Sequence, residues 1–197
     1  IWEQDEPGKA EHISYQELFH QVNKYANMLK EFDVKKGDRV VIYMPMVPEA
    51  VFAMLACARI GAIHSVVFAG FSSDALLDRV NDAGAKVVIT SNVSLRGGKK
   101  IPLKKLVDVA LSKPNPVKVV LVHQRVKDDG HEVVTHMENG RDHYIAHLLH
   151  KYRPFCPAEP MDSEDPLFML YTSGSTGKPK GLVHTTAGYL LYPGVSH

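Results

Sequence analysis

Only two cysteines, Cys57 and Cys156, occur in the 197 residues. Two thiols make no disulfide framework, and Cys57 falls in an apolar helical pattern where it reads as a small core residue. No apolar run approaches the length of a membrane span. The first ten residues are polar and acidic and do not form a secretory signal. A reducing, intracellular, cytoplasmic setting is therefore the expectation. Neither sign of charge is in excess: 23 Lys and Arg against 22 Asp and Glu leave +1. That balance gives no general attraction to nucleic acid or to a membrane surface. The chain also lacks an initial methionine and stops at His197, soon after its most distinctive loop. Both ends read as cut, so a piece of a longer protein is expected. What is present is ordinary for a globular domain, with 45% hydrophobic and 23% charged residues, enough apolar surface for one domain or one and a half.

Along the chain, strands alternate with helices. Ser14 and Glu17 form a capping box, and Leu18, Val22, Tyr25, Ala26 and Leu29 recur at helical spacing, predicting a helix to about Phe32. Residues 39–44 read as a buried strand, and Pro48 opens a helix over 49–60 that Gly61 stops. Strands are expected at 62–68, 86–90 and 117–123, with helices running from a Ser72 or Ser73 cap to Asp82 and from Leu103 to Leu111. This alternation predicts an α/β fold with a mainly parallel sheet, whose ligands sit beyond the carboxyl ends of the strands. Residues 125–141 read as a polar surface excursion with a small hairpin through Val133 and Val134. His131 and His136 stand one residue too far apart for a zinc-protease pair, and His143, His147 and His150 read as a solvated helix face. The prolines of 154–166 mark an extended connector, dividing a unit over 1–153 from one that starts at 167 and runs to 197.

Three loops carry chemistry. The first joins two apolar runs: Thr172, Ser173, Gly174, Ser175, Thr176, Gly177, Lys178, Pro179, Lys180. Its glycines allow close approach of backbone N–H groups, its hydroxyls donate, and its lysines bring positive charge, a set suited to a polyphosphate. It is not a Walker-type loop, because Gly174 is only three residues before Gly177 and Pro179 follows Lys178. The alternative is a flexible Ser/Gly hairpin loop. The second loop follows the strand at 86–90 and places Gly97 and Gly98 between Arg96 and Lys99, Lys100. It is either a solvated basic turn or a seat for a phosphate monoester. The third places Gly70 after the strand at 62–68, either to make the turn or to admit a ligand.

Taken together, these strings resemble the adenylate-forming, AMP-binding superfamily, and within it the short-chain acyl-CoA synthetases that activate acetate. Glu164 to Phe168 before the first loop and His184 to Leu190 after it carry the likeness. So do Gly37 to Val40, Ala56 to Ala62, Phe68 to Ser72 and Arg96 to Lys99. The resemblance covers essentially the whole chain. It implies part of a layered α/β N-terminal domain, and substrates that are small molecules: ATP with Mg2+, acetate and coenzyme A. It implies that Thr172 to Gly177, with Lys178 or Lys180, handle the ATP phosphates. It also implies that Gly70, Arg96, Gly97, Gly98 and Lys99 lie on the coenzyme A path, with Lys99 standing where the family usually has a second arginine. The acetate pocket, nucleoside contacts, metal ligands and catalytic lysine of such enzymes are expected beyond His197, so no catalytic residue or metal ligand is assigned within the chain. Propionate in place of acetate stays open, as do a non-catalytic nucleotide- or coenzyme A-binding fragment and a piece that does not fold alone.

Overall fold

The computed structural model describes residues 1–5, 8–172 and 179–196. A short ribbon of β1 (Trp2–Glu3) and β2 (Ala10–Glu11) precedes α1 (Tyr15–Glu31). The alternating section follows: β3 (Arg39–Tyr43), α2 (Pro48–Arg59), β4 (Ile63–Val66), α3 (Ser73–Ala83) and β5 (Val87–Ser91). A hairpin of β6 (Ser94–Arg96) and β7 (Lys99–Ile101) leads to α4 (Leu103–Leu111), β8 (Val119–His123), β9 (Asp142–Tyr144) and α5 (Ile145–Leu149). The chain then runs through the extended 154–166 stretch into β10 (Pro166–Thr172), β11 (Lys180–Thr185) and α6 (Thr186–Ser196).

Seven strands form one sheet in the order β11-β10-β4-β3-β5-β8-β9, parallel throughout except for the antiparallel pair β10–β11. Both faces of its centre are covered. Val40 and Ile42 of β3 point into a core with α1, α2 and α5, through Tyr25, Leu29, Phe52, Ala53 and Ile145. Val41 and Tyr43, one residue out of phase, point into a second core with α3 and α4, through Leu76, Val80, Leu103 and Val107. A parallel strand buried on both sides is apolar without alternation, which is why Val40 to Tyr43 reads as a continuous hydrophobic run.

The helix ends follow local rules. The Ser14–Glu17 capping box forms at α1, with Glu17 N–H donating to Ser14 Oγ at 3.2 Å and Ser14 N–H donating to Glu17 Oε2 at 2.7 Å. Ser72 caps α3, and Gly84 ends it in the left-handed region at φ 61°. The Arg39 guanidinium seals that end, donating to the Ala83 and Gly84 carbonyls at 2.8 and 3.1 Å.

Two local expectations change, and a buried ionic group comes into view. The segment after Arg141 does not begin as a helix: Asp142 to Tyr144 first pair with β8 as an edge strand, and His143 packs against Phe32 at 4.7 Å. Val133 and Val134 form no strand, because the Asp129 carboxylate takes the N–H groups of His131 and Val133 and curls the backbone into a turn. Lys104, on α4, is 2% exposed and joins a buried ionic group: Asp108 at 2.6 Å, Asp142 at 2.7 Å and the His136 carbonyl at 2.8 Å, with Arg141 closing on both carboxylates. Among the described residues no helix is long and apolar enough to cross a membrane.

Candidate functional site

The carboxyl ends of β3, β4, β5, β8 and β10 share one edge of the sheet, since these strands are mutually parallel. The chain leaves β3 for β4 on one side, then returns to β5 on the other. That reversal opens a crevice above the end of β3, the usual ligand position in open α/β sheets. The loop after β4 and the hairpin after β5 meet there.

The loop after β4 is pinned at its centre. Phe71 N–H donates to the Phe68 carbonyl at 3.0 Å, closing a turn around Gly70. Tyr43, the last residue of β3, donates its hydroxyl to the Phe71 carbonyl at 2.7 Å. The basic stretch, expected as a loop, is a β-hairpin in register Ser94↔Ile101, Leu95↔Lys100, Arg96↔Lys99. Gly97 and Gly98 form its two-residue turn at φ 55° and 75°, left-handed angles that a hairpin of this length requires and glycine supplies. Asn92 anchors the base of the hairpin. Its Oδ1 accepts from the N–H groups of Val93 and Arg125 at 2.9 and 3.0 Å, and its Nδ2 donates to the Val126 carbonyl at 2.6 Å.

This architecture brings two of the expected elements into contact. Arg96 lays its guanidinium on the Phe68 ring, 5.3 Å from the centroid. A Cβ at Gly70 would stand 3.1 Å from Arg96 Nη1 and 2.4 Å from Phe68 Cε1. Glycine at this position is what lets the stacked pair settle on the turn. Arg96 and Lys99 are exposed and face one another as the last hairpin pair. Two cations directly opposed repel, and a phosphate between them relieves that cost. Lys100 is otherwise engaged, with Glu132 at 2.6 Å. Among the described residues no ion pair involves Arg96 or Lys99. Phe68 is the residue that sequence reasoning missed: read as a strand residue, it lies beyond β4, is 55% exposed and underlies Arg96.

The strand that leads into the stretch expected to hold a polyphosphate ends at the same edge. β10 joins the sheet beside β4 through Phe168↔His64, and β10 and β11 close on one another at Thr172↔Lys180. Thr172 and Lys180 are exposed at the mouth of the loop. Ser173, Gly174, Ser175, Thr176, Gly177 and Lys178 lie outside the described residues. At the start of β10 an aromatic stack runs across three strands, with His64 to Phe168 at 5.6 Å and Phe168 to His184 at 4.5 Å. Burial pushes the His64 imidazole down to about 4, and among the described residues its Nδ1 has no hydrogen-bond partner.

The structure is thus an α/β protein with a mostly parallel sheet and a basic Gly-Gly hairpin following its β5 strand. The family model for AMP-binding enzymes matches residues 3–196, and the chain belongs to that family. Among curated relatives, it is 55% identical over its whole length to acetyl-coenzyme A synthetase 2 of Pseudomonas aeruginosa (strain PAO1). It is 56% identical over its whole length to the acetyl-coenzyme A synthetase of Halorhodospira halophila. Over 98% of its length it is 54% identical to the acetyl-coenzyme A synthetase of Yersinia pestis (strain Pestoides F). The chain spans 29–30% of the length of these relatives.

Proposed function

We propose that the chain is the phosphate- and coenzyme A-gripping part of an AMP-forming acetate–CoA ligase. The observation that carries this reading is the 55% identity, over the whole chain, to acetyl-coenzyme A synthetases. In the first half-reaction an acetate oxygen attacks the α-phosphorus of ATP, the bond to the β-phosphate oxygen breaks, and pyrophosphate leaves with both electrons of that bond. In the second, the sulfur of coenzyme A bonds to the acetyl carbon, the carbon–oxygen bond to AMP breaks, and the thiol proton is lost.

The chain's own residues serve both halves. The loop from Thr172 to Lys180 neutralises charge that gathers on the departing pyrophosphate, through backbone and hydroxyl donors and a lysine, the kind of electrostatic stabilisation that dominates phosphoryl and nucleotidyl transfer. Arg96 and Lys99 hold the phosphate at the nucleotide end of coenzyme A, and Gly70 lets that end lie close to the backbone. Lys99 contributes point charge without the bidentate fork of arginine, so Arg96 carries most of the directionality. Among the described residues no group of three or more His, Cys, Asp or Glu gathers to hold a metal. The Mg2+ that accompanies ATP supplies phosphate neutralisation, and none of the steps assigned to these residues passes through it. We further place the acyl pocket and catalytic lysine outside these 197 residues, the 154–166 connector as the boundary between the coenzyme A unit and the start of the nucleotide unit, and the enzyme in a reducing, cytoplasmic compartment.

Two measurements test this. The 197-residue chain shows no acetate-dependent ATP–pyrophosphate exchange, and robust exchange by it would sink the division of labour. In the full-length polypeptide that carries this sequence, Arg96→Ala raises the KM for coenzyme A about tenfold or more, the loss expected for a charge-assisted phosphate contact, and spares the exchange reaction. Equal damage to both half-reactions counts against a coenzyme A role.

A further inference from the structure

One side chain joins the Gly70 turn to the strand that enters the phosphate loop. Arg79, on α3, is 8% exposed. Its guanidinium lies 4.6 Å from the Phe71 ring centroid and 5.4 Å from that of Tyr171, and Nη1 donates to the Ala75 carbonyl at 2.7 Å. Asp78 and Asp82 line the same cleft, yet among the described residues no ion pair involves Arg79. Asp82 is taken by the Tyr171 hydroxyl at 2.6 Å. Tyr171 is held on a further side by β11, where a Cβ at its cross-strand partner Gly181 would reach its ring at 3.2 Å. Phe71 in turn meets Phe68 edge-on at 5.6 Å, and Phe68 carries Arg96.

The result is an unbroken series, Tyr171–Arg79–Phe71–Phe68–Arg96, in which aromatic rings are bracketed by flat cations. It starts one residue before Thr172 and ends on the basic hairpin. A buried guanidinium without a carboxylate is costly to keep. A leucine or methionine would fill the same space without that cost, so packing alone does not account for arginine here. What arginine adds is a planar cation that attracts two rings at once and sets their separation.

We propose that Arg79 is a positioning residue that locks the base of the phosphate loop to the coenzyme A turn, so that both substrates are held in one frame. This rests on the ligase reading of the site. The physical need is clear from the chemistry: the acetyl group, activated while the nucleotide is gripped at one loop, must meet a thiol whose nucleotide end is gripped at the other. A grip that is not held in place must be ordered on binding, which weakens the affinity for each substrate.

The test uses the full-length polypeptide with Arg79→Met, which keeps the aliphatic stem and removes the cation, and Arg79→Lys, which returns the charge. Arg79→Met raises the KM for Mg·ATP in acetate-dependent exchange, and the KM for coenzyme A in the overall reaction, each about five- to tenfold, with kcat changed by about twofold or less, as expected when one cation–π attraction is removed on each side. Arg79→Lys recovers part of both. Tyr171→Leu raises the ATP constant alone, Phe71→Leu the coenzyme A constant alone, and neither adds its full effect to that of Arg79→Met. The proposal is overturned if Arg79→Met lowers kcat in step with the folded fraction, measured by circular dichroism, and leaves both KM values unchanged. If Arg96→Ala raises the coenzyme A KM and Arg79→Met does not, the coupling fails and the ligase reading stands. If neither moves it, the site assignment fails as well.

Discussion

Gly70→Ala gives a sharp test of the stacked platform, because the new methyl has a defined place to go. The Gly70 φ is not in the left-handed range, so alanine meets no backbone strain. The obstacle is steric: the added Cβ comes to 2.4 Å from Phe68 Cε1 and 3.0 Å from Cζ, with Arg96 Nη1 at 3.1 Å. The Phe68 ring must swing away. Doing so gives up its edge contact with Phe71, worth about 1 kcal/mol, and its contact with Arg96, worth about 0.5–1 kcal/mol at an exposed site. A displaced Arg96 no longer faces the phosphate as an ordered group. That sum, about 1.5–2 kcal/mol, is lost from the fold, while an Arg96 that must be re-ordered to meet the ligand raises the KM for coenzyme A about tenfold. Stability falls by no more than that sum, because Phe68 is already 55% exposed and leaves no cavity. Initial-rate assays with coenzyme A varied, beside acetate-dependent exchange and a urea melt, separate these effects. In a Phe68→Ala background there is no ring to displace, and Gly70→Ala adds little. An unchanged coenzyme A KM in the single variant refutes the reasoning, as does an equal rise in the KM for ATP.

Acid sensitivity has two distinct sources. Burial holds His64 neutral down to about pH 4, against about 6.5 in the unfolded chain, so the unfolded state takes up a proton first as pH falls. Its contribution is complete above about pH 6.5 and is lost progressively down to about pH 4, about 3 kcal/mol in all. Urea melts of the wild type and His64→Leu at neutral pH and near pH 5 check this, since the variant lacks the decline. For Asp142, burial raises the carboxyl, but the hydrogen bonds from Arg141, Lys104 and the Glu138 N–H outweigh it and the net shift is downward. Its stabilisation is present above about pH 4 and lost as pH falls through the depressed folded value. Lys104→Met leaves Asp142 buried with one cation fewer and costs about 3 kcal/mol. Lys104→Met combined with Asp142→Asn costs less than the sum of the two single changes.

What could be read from the sequence, and what could not, divides by range. The alternation of strand and helix was legible because each element carries its own period and its own stops: the capping box at Ser14, Pro48 at the start of α2, and Gly84 at the end of α3. The basic Gly-Gly turn was legible because glycine and charge gather there in a few residues. The hairpin around Gly97 and Gly98 was not, since three-residue strands show no periodicity, though a Gly-Gly pair between two short runs is a turn signal that fits it. Lys104 gave no local sign of burial, as its partner Asp142 lies far along the chain. The same holds for Arg79, which looks like any polar helix residue until Tyr171 is laid beside it. Phe68 and Arg96 likewise meet only because the chain places β4 and β5 on opposite sides of β3. That placement sets the Gly70 turn and the basic hairpin over one strand end, where the Tyr43 hydroxyl holds the turn through the Phe71 carbonyl. Two loops that are separate motifs in the sequence become one surface through the order of three strands. Changing the Tyr43 anchor therefore bears on the platform as directly as changing any residue within it.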